Sequence, residues 1–277
     1  MAISKLTLIT GVSRLHTLYE PVAAIMRKVA TEVILPHYRN LKASDIEEKS
    51  PGDFVTVADK LSEQRLSAEL LRVLPQASIV GEEAAAADPD ILKHINDKTA
   101  WIIDPIDGTG NFAAGKPPFG IIIALVEQGE TIAGWLYDPL KERLCFAWKS
   151  KGAYINGEQV TANSEFSGKP IAALATGFMK EQKREQTLAK ATPHYEIADI
   201  PRCAAEQYPR LVLGQNHVSI FERTLPWDHA AGILFLNEAG GRAARWDGSD
   251  YLPGDNRTGL LGASSPKLWD EAARIFS

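Results

Sequence analysis

Apolar residues recur at helical spacing at Val22, Ile25, Met26, Val29 and Val33, just after Glu20-Pro21. Proline suits a helix's first turn, so the pattern predicts a helix that begins there and stops at Pro36. A polar loop from Lys42 to Gly52 leads into alternation over Asp53 to Asp59, which predicts a short strand or extended turn. Leu66, Leu70, Val73 and Leu74 form the face of a second helix, closed by Pro75. Ser78 to Val80 reads as a strand ending at Gly81-Glu82-Glu83, and Ala100 to Ile103 as another ending at Asp104. Phe119 to Val126, Thr131 to Tyr137 and Arg143 to Trp148 predict an antiparallel meander, with Asn156-Gly157 marking a further hairpin. The pattern changes near Ser164. Beyond it come a strand at Ile171 to Thr176, a polar helix at Lys180 to Ala191, and short strands at Arg210 to Leu213 and Val218 to Phe221. An apolar helix follows from Trp227-Asp228 through Ala239 and stops at Gly240-Gly241. We expect two intimately packed halves, 1–164 and 165–277.

Composition narrows the function more than the fold. With 45% hydrophobic and 23% charged positions in 277 residues, the chain has enough apolar side chains for a sizeable core, and disorder is excluded. A net charge of −5 argues against a nucleic-acid polymer or an anionic membrane as partner, so an anionic substrate must be attracted locally. Cys145 and Cys203 lie too far apart in sequence for a CxxC site, and two cysteines make no disulfide framework. The longest apolar runs, Gly120 to Val126 and Ala230 to Leu236, are far short of the ~20 residues a membrane helix needs. The N-terminus has no basic stretch, continuous apolar run or small-residue cleavage site, so a cytoplasmic protein is expected.

The chemistry concentrates in Trp101-Ile102-Ile103-Asp104-Pro105-Ile106-Asp107-Gly108-Thr109-Gly110-Asn111-Phe112. Pro105 favours an extended Asp104 and an immediate turn, which brings Asp107 back toward it. Two carboxylates so placed need a shared proton, a cationic side chain or a metal between them. Gly108 and Gly110 permit close backbone approach, and a short helix starting near Asn111-Phe112 would aim amides at an anion. Acids beside an anion cradle are contradictory unless divalent cations intervene, and hard oxygen ligands suit Mg²⁺. The residues therefore point to metal-assisted attack on a phosphoryl group. An Asp pair around a proline is most often only a turn. A turn alone does not explain why Glu82 and Asp104 both follow apolar strands, or why Asp228 precedes a buried helix. Dinucleotide binding through Gly108-x-Gly110-x-x-Ala113 with Glu127 is a rival, but Pro117-Pro118 arrive too soon for its crossover helix.

At this point the chain resembles the inositol monophosphatase family of Mg²⁺-dependent, Li⁺-sensitive phosphatases over most of its length. The resemblance rests on Asp53-x-Val55-Thr56-x-Ala58-Asp59, Gly81-Glu82-Glu83, Trp101 through Thr109, Asn111-Phe112, Gly152-Ala153-Tyr154-x-Asn156-Gly157, Pro226-Trp227-Asp228-x-Ala230-Ala231-Gly232 and Glu238-Ala239-Gly240-Gly241. It implies a mixed α+β fold, a layered αβαβα sandwich of the inositol monophosphatase and fructose-1,6-bisphosphatase type. Most metal ligands would then lie in the first half, with Asp228 and the substrate wall in the second, and the chain is expected to be a homodimer. It implies that Glu82, Asp104 and the carbonyl of Ile106 hold one Mg²⁺, that Asp104, Asp107 and Asp228 hold a second, and that a third sits on Glu82. Thr109 and Asp59 would orient and deprotonate the attacking water, while Gly108 and Thr109 receive the phosphate.

Other readings stay open beside these. Asp59 and Asp228 both suit helix N-termini. Glu83 could support the ligands or be solvated. His229, adjacent to Asp228 on a helix, points elsewhere, and His16, His37, His94, His194 and His217 form no ligand spacing. Trp227 reads as packing. The chain departs from the family where Gly110 replaces a second Thr, at Arg202-Cys203-Ala204-Ala205-Glu206, and at Phe221 to Pro226, which is one residue short. By the resemblance, Glu222 matches a position that contacts inositol hydroxyls. Arg223 could pair with Glu222, face solvent or bind a second substrate anion. The expected activity is hydrolysis of a small, inositol monophosphate-like ester by metal-activated water attack. Histidinol-phosphate phosphatase, fructose-1,6-bisphosphatase and 3'(2'),5'-bisphosphate nucleotidase activities are alternatives on the same core, and a regulatory binding protein is the non-enzymatic one.

Overall fold

The computed structural model describes residues 17–50 and 52–276; His16 and the N-terminal segment judged for export signals lie outside them. Helix α1, Tyr19–Val29, buries Val22, Ile25, Met26 and Val29 as their spacing requires. It does not stop at Pro36. A π-helical turn, Ala30–Ile34, precedes a last turn, α2 (Leu35–His37), that contains the proline. The widened turn accommodates a residue with no N–H to donate.

A hairpin of β1 (Ile46–Ser50) and β2 (Asp53–Thr56) runs directly into α3 (Val57–Val73). Val57, Ala58 and Asp59 are therefore helical, not extended, and Asp59 is not the cap. Thr56 is: its hydroxyl accepts from the Ala58 amide at 3.2 Å, while Asp59 Oδ2 accepts from the Thr56 amide at 2.8 Å. This reciprocal capping box starts the helix three residues earlier than alternation suggested.

Seven strands form one sheet in sequence order: β3 (Ser78–Gly81), β4 (Ala100–Asp107), β5 (Gly120–Glu127), β6 (Glu130–Asp138), β7 (Arg143–Trp148), β8 (Gly152–Ile155) and β9 (Glu158–Val160). The first pair is parallel and the others antiparallel. β4 runs past Asp104 to Asp107 with a register shift between them. Pro105, which cannot donate to a ladder, falls in that irregularity. Glu82 does not extend β3 but opens a short helix, α4 (Glu82–Ala87). Another short helix, α5 (Thr109–Ala113), begins just past β4.

Alternate residues of the sheet enter two cores. Trp101, Ile103, Ile121, Ile123 and Trp135 pack with Val22, Met26, Leu66 and Leu70 of α1 and α3. Ile102, Ile122, Ala124 and Leu136 face the other way. Strands buried on both faces read as continuous apolar runs, which is why β4 and β5 were legible.

The second sheet has order β11-β10-β12-β14-β13, from β10 (Ile171–Ala175), β11 (Glu196–Ala198), β12 (Val218–Phe221), β13 (Arg242–Ala244) and β14 (Leu260–Ala263). Between the sheets lie α7 (Ala204–Val212) and α8 (Pro226–Glu238), whose Tyr208, Leu211, Ala231 and Phe235 share a core with Ile122, Leu136, Ala243 and Leu260. Helices α6 (Glu181–Ala191) and α9 (Pro266–Phe276) cover the outer face, with Ala191, Trp269 and Ala272 against Ala172, Ile220 and Leu261. The result is the αβαβα sandwich. Arg210 to Leu213 is not a strand: Tyr208, Leu211 and Val212 make one helical face of α7 instead. No helix among the described residues is long and apolar enough to cross a membrane.

Candidate active site

The register shift at the end of β4 turns Asp104 and Asp107 toward the first turn of α8, which supplies Asp228. One oxygen from each of these three carboxyls lies within 4.8 Å of the others. Asp104 Oδ1 accepts from the Ile106 amide at 3.0 Å, which ties the first acid to the turn that carries the second. Burial pushes the Asp104 carboxyl well above its ordinary value, with further upward push from the charges of Glu82, Asp107 and Asp228. Burial and the charges of Glu82 and Asp107 do the same to Asp228, against the pull of the Arg223 charge. Asp107 is pushed up by burial too, against amide and thiol donors from the start of α7. The set holds oxygen ligands only, crowded and short of positive charge, which fits a hard divalent cation.

Around this cluster stand the other predicted residues. Thr109 Oγ1 lies 3.1 Å from Asp59 Oδ1 and 2.9 Å from the Ile106 carbonyl oxygen, so one proton serves two acceptors. Thr56 also donates its hydroxyl to Asp59 Oδ2 at 2.6 Å. Burial raises the Asp59 carboxyl to about 6 against these donors. Gly108 adopts φ +83°, the left-handed conformation that lets the chain leave β4 and start α5 beside the acids. Gly110 lies within α5 and leaves room for a side chain: a Cβ there would meet Phe54 at 3.7 Å.

Glu82 is turned to a lysine. Lys49 Nζ lies 2.9 Å from Glu82 Oε1 and 3.2 Å from Glu83 Oε1. Burial and the neighbouring Glu82 charge push Glu83 up to about 7. Glu222 is likewise engaged, receiving Lys183 Nζ on both oxygens at 2.8 and 2.7 Å, while Arg223 stacks over the ring of Phe178 at 4.1 Å. His229 is buried between Tyr208 Oη at 2.8 Å and the Arg223 carbonyl at 3.1 Å, and burial lowers its pKa to about 3. It is a neutral packing group.

Sequence reasoning missed several supports. Glu63, one turn along α3 from Asp59, accepts the Glu83 and Ala84 amides at 2.7 and 2.9 Å and so fixes the start of α4; its helical spacing from Asp59 was the available signal. Nothing local marked Lys49. A cavity of about 420 Å³ between Leu92, Arg223, Trp227 and Arg257 is lined by none of the acids. Asp104, Asp107 and Asp228 lie outside that cavity.

The profile of the inositol monophosphatase family matches residues 15–276. A relative from Aquifex aeolicus named fructose-1,6-bisphosphatase/inositol-1-monophosphatase is 31% identical over 231 residues, 80% of this chain and 84% of its own. The Escherichia coli protein named Nus factor SuhB is 30% identical over 256 residues, 89% of this chain and 91% of its own. The solved structure of a Thermotoga maritima IMPase superposes with a TM-score of 0.79 at 23% identity, covering 94% of this chain and 97% of that one. The fold, the motif order and these matches agree: the chain belongs to the inositol monophosphatase family.

Proposed function

We propose that the protein hydrolyses a small phosphate monoester with divalent cations, Mg²⁺ by the hardness of the donors, held by Asp104, Asp107 and Asp228. One observation carries this reading: three carboxyls, two buried and one half-buried, meet within 4.8 Å, so crowded that burial and neighbouring acid charges push all three above the ordinary carboxylate range. Bound cations would neutralise that charge, polarise the phosphoryl group and make a water a better nucleophile. Glu82 and the Ile106 carbonyl complete the ligand set when Glu82 gives up Lys49.

The chain's own residues handle the proton and the substrate. Asp59, charged above pH ~6, takes the water's proton through Thr109 Oγ1, which lies within hydrogen-bond distance of Asp59 Oδ1. The backbone of Gly108 and Thr109 receives the phosphate, with Gly110 beside it. Water's oxygen forms the new P–O bond as the ester P–O bond breaks, and the departing alcohol regains a proton from solvent. Because Lys183 occupies both oxygens of Glu222, recognition of the alcohol by that acid requires the pair to open.

Phosphate release should be followed from inositol phosphate, histidinol phosphate, fructose bisphosphate and adenosine bisphosphate, with and without Mg²⁺. We expect Mg²⁺-dependent release from at least one, reduced more than about 100-fold in Asp104→Asn. Full activity in that variant would sink the reading. The relatives named Nus factor SuhB motivate a second reading, a regulatory protein that keeps the fold. Wild-type protein that binds Mg²⁺ yet releases phosphate from no member of the panel would favour it.

A further inference from the structure

The C-terminal half touches the acid cluster at a second place besides Asp228, and there it uses a thiol. Cys203 Sγ lies 3.1 Å from Asp107 Oδ2, and the Ala205 amide donates to the same oxygen at 2.6 Å. Both partners are buried, Cys203 at 5% and Asp107 at 7% exposure, so the carboxyl has little water to turn to. The approach is fixed from two further directions. Asn111 Nδ2 donates to the Pro118 and Pro201 carbonyls at 2.8 and 2.9 Å, stapling the segment before Cys203 to the turn after Asp107. Cys203 Cβ lies only 3.2 Å from where a side chain on Gly108 would begin. Arg202 adopts φ +51°, a left-handed conformation that delivers the next residue into this contact.

We infer that Cys203 is a positioning residue: its thiol, with the Ala205 amide, fixes the Asp107 carboxyl so that it faces Asp104 and Asp228 for cation binding. The claim rests on the proposed role of those acids and adds to it. A weak donor is strengthened by a charged acceptor, and a burial this tight leaves Asp107 few other orientations. Outer residues that orient a ligand typically change metal affinity by about 10–100-fold. A purely packing role makes a different prediction: valine fills the space, with one branch more than the thiol, and removes the donor, whereas serine keeps a donor and fills less of the space.

The test is Mg²⁺ calorimetry on the full chain. Cys203→Ser, which keeps a donor, should stay within about threefold of wild type, whereas Cys203→Val and Cys203→Ala should weaken binding about tenfold or more. A Cys203→Val protein that binds Mg²⁺ like wild type overturns the inference. A metal-free measurement separates this claim from the proposed function: the infrared S–H band lost in Cys203→Ala should shift upward in Asp107→Ala. If that band does not move, the thiol is not bonded to the carboxyl and the inference fails. If it moves but wild type binds no Mg²⁺, the contact is present without the role assigned to it, and the inference falls with the cation site while the hydrogen bond stands.

Discussion

Two buried acid clusters meet at the start of α7, and they are neutralised in opposite ways. Ala205 donates to Asp107 on one side; the next residue, Glu206, turns to the other, where Arg143, Arg210 and Lys141 reach its oxygens at 2.5, 2.9 and 3.0 Å. Burial pushes the Glu206 carboxyl up, but the bond and charge of Arg143, with Arg210 and Lys141, outweigh it and hold the group below its ordinary value. Asp104 and Asp228 are driven the other way, even though Arg223 pulls Asp228 down. Burial thus yields a settled charge where the chain supplies the cations and a crowded carboxyl pushed above its ordinary range where it does not. The second arrangement costs stability in the metal-free protein and is relieved by a cation from solution.

The largest effect should come from exchanging the two acids' fates. Glu206→Gln leaves Arg210 without its carboxylate and Arg143 with only the more distant Asp138 at 3.9 Å, and should cost about 3 kcal/mol, read from urea unfolding. Asp104→Asn removes a repelled charge, so without metal it should unfold no more easily than wild type, yet gain nothing from Mg²⁺. Wild type should gain about 2.7 kcal/mol at a Mg²⁺ concentration 100 times the dissociation constant. Equal losses in the two variants, both metal-free, would break the contrast.

The pH dependence sharpens it. For Glu206 the folded pKa is lowered, so its contribution is present above the ordinary carboxylate range and lost as pH falls through the folded value. For Asp59 the folded pKa is raised, from 3.8 to about 6. Its contribution is fully present below the ordinary value and lost as pH rises through about 6, by up to about 3 kcal/mol. His229, lowered from 6.5 to about 3, pulls the other way over the same range, so the readout is the difference between two proteins: in EDTA, wild type should lose stability relative to Asp59→Asn between about pH 4 and 7. A difference that stays flat or grows in favour of wild type across this range would contradict the raised Asp59 pKa.

How much of this was legible depended on whether the signal was local. Asp104-Pro105-Ile106-Asp107 announced its own convergence because proline and two carboxylates lie within four residues, and β4 and β5 read clearly because both faces are buried. Thr56-x-x-Asp59 carried a capping box that alternation obscured. Pro36 read as a stop because only the observed π-helical turn accommodates it. Lys49 on Glu82, Lys183 on Glu222 and Cys203 on Asp107 join residues 33, 39 and 96 positions apart, and no spacing rule reaches that far. Past Gly241, where β13, β14 and α9 form, the short strands owe their existence to sheet partners, not to their own pattern.

The smallest effect concerns two glycines, two residues apart at the start of α5. Gly108→Ala must hold φ +83° and bring a Cβ to 3.0 Å from the Pro118 carbonyl and 3.2 Å from Cys203, so it should cost at least about 1–2 kcal/mol and disturb the Cys203 contact. Gly110→Thr meets only Phe54 at an ordinary 3.7 Å and lies in a helical turn, where losing glycine gains a few tenths of a kcal/mol. We expect its stability to stay within about 0.5 kcal/mol of wild type. If phosphate-ester affinity also stays unchanged, backbone groups suffice for the phosphate at this position. A severalfold gain would show that the missing hydroxyl limits this chain. A loss beyond about 1 kcal/mol would mean that α5 tolerates no side chain there, and the contrast between the two glycines would dissolve.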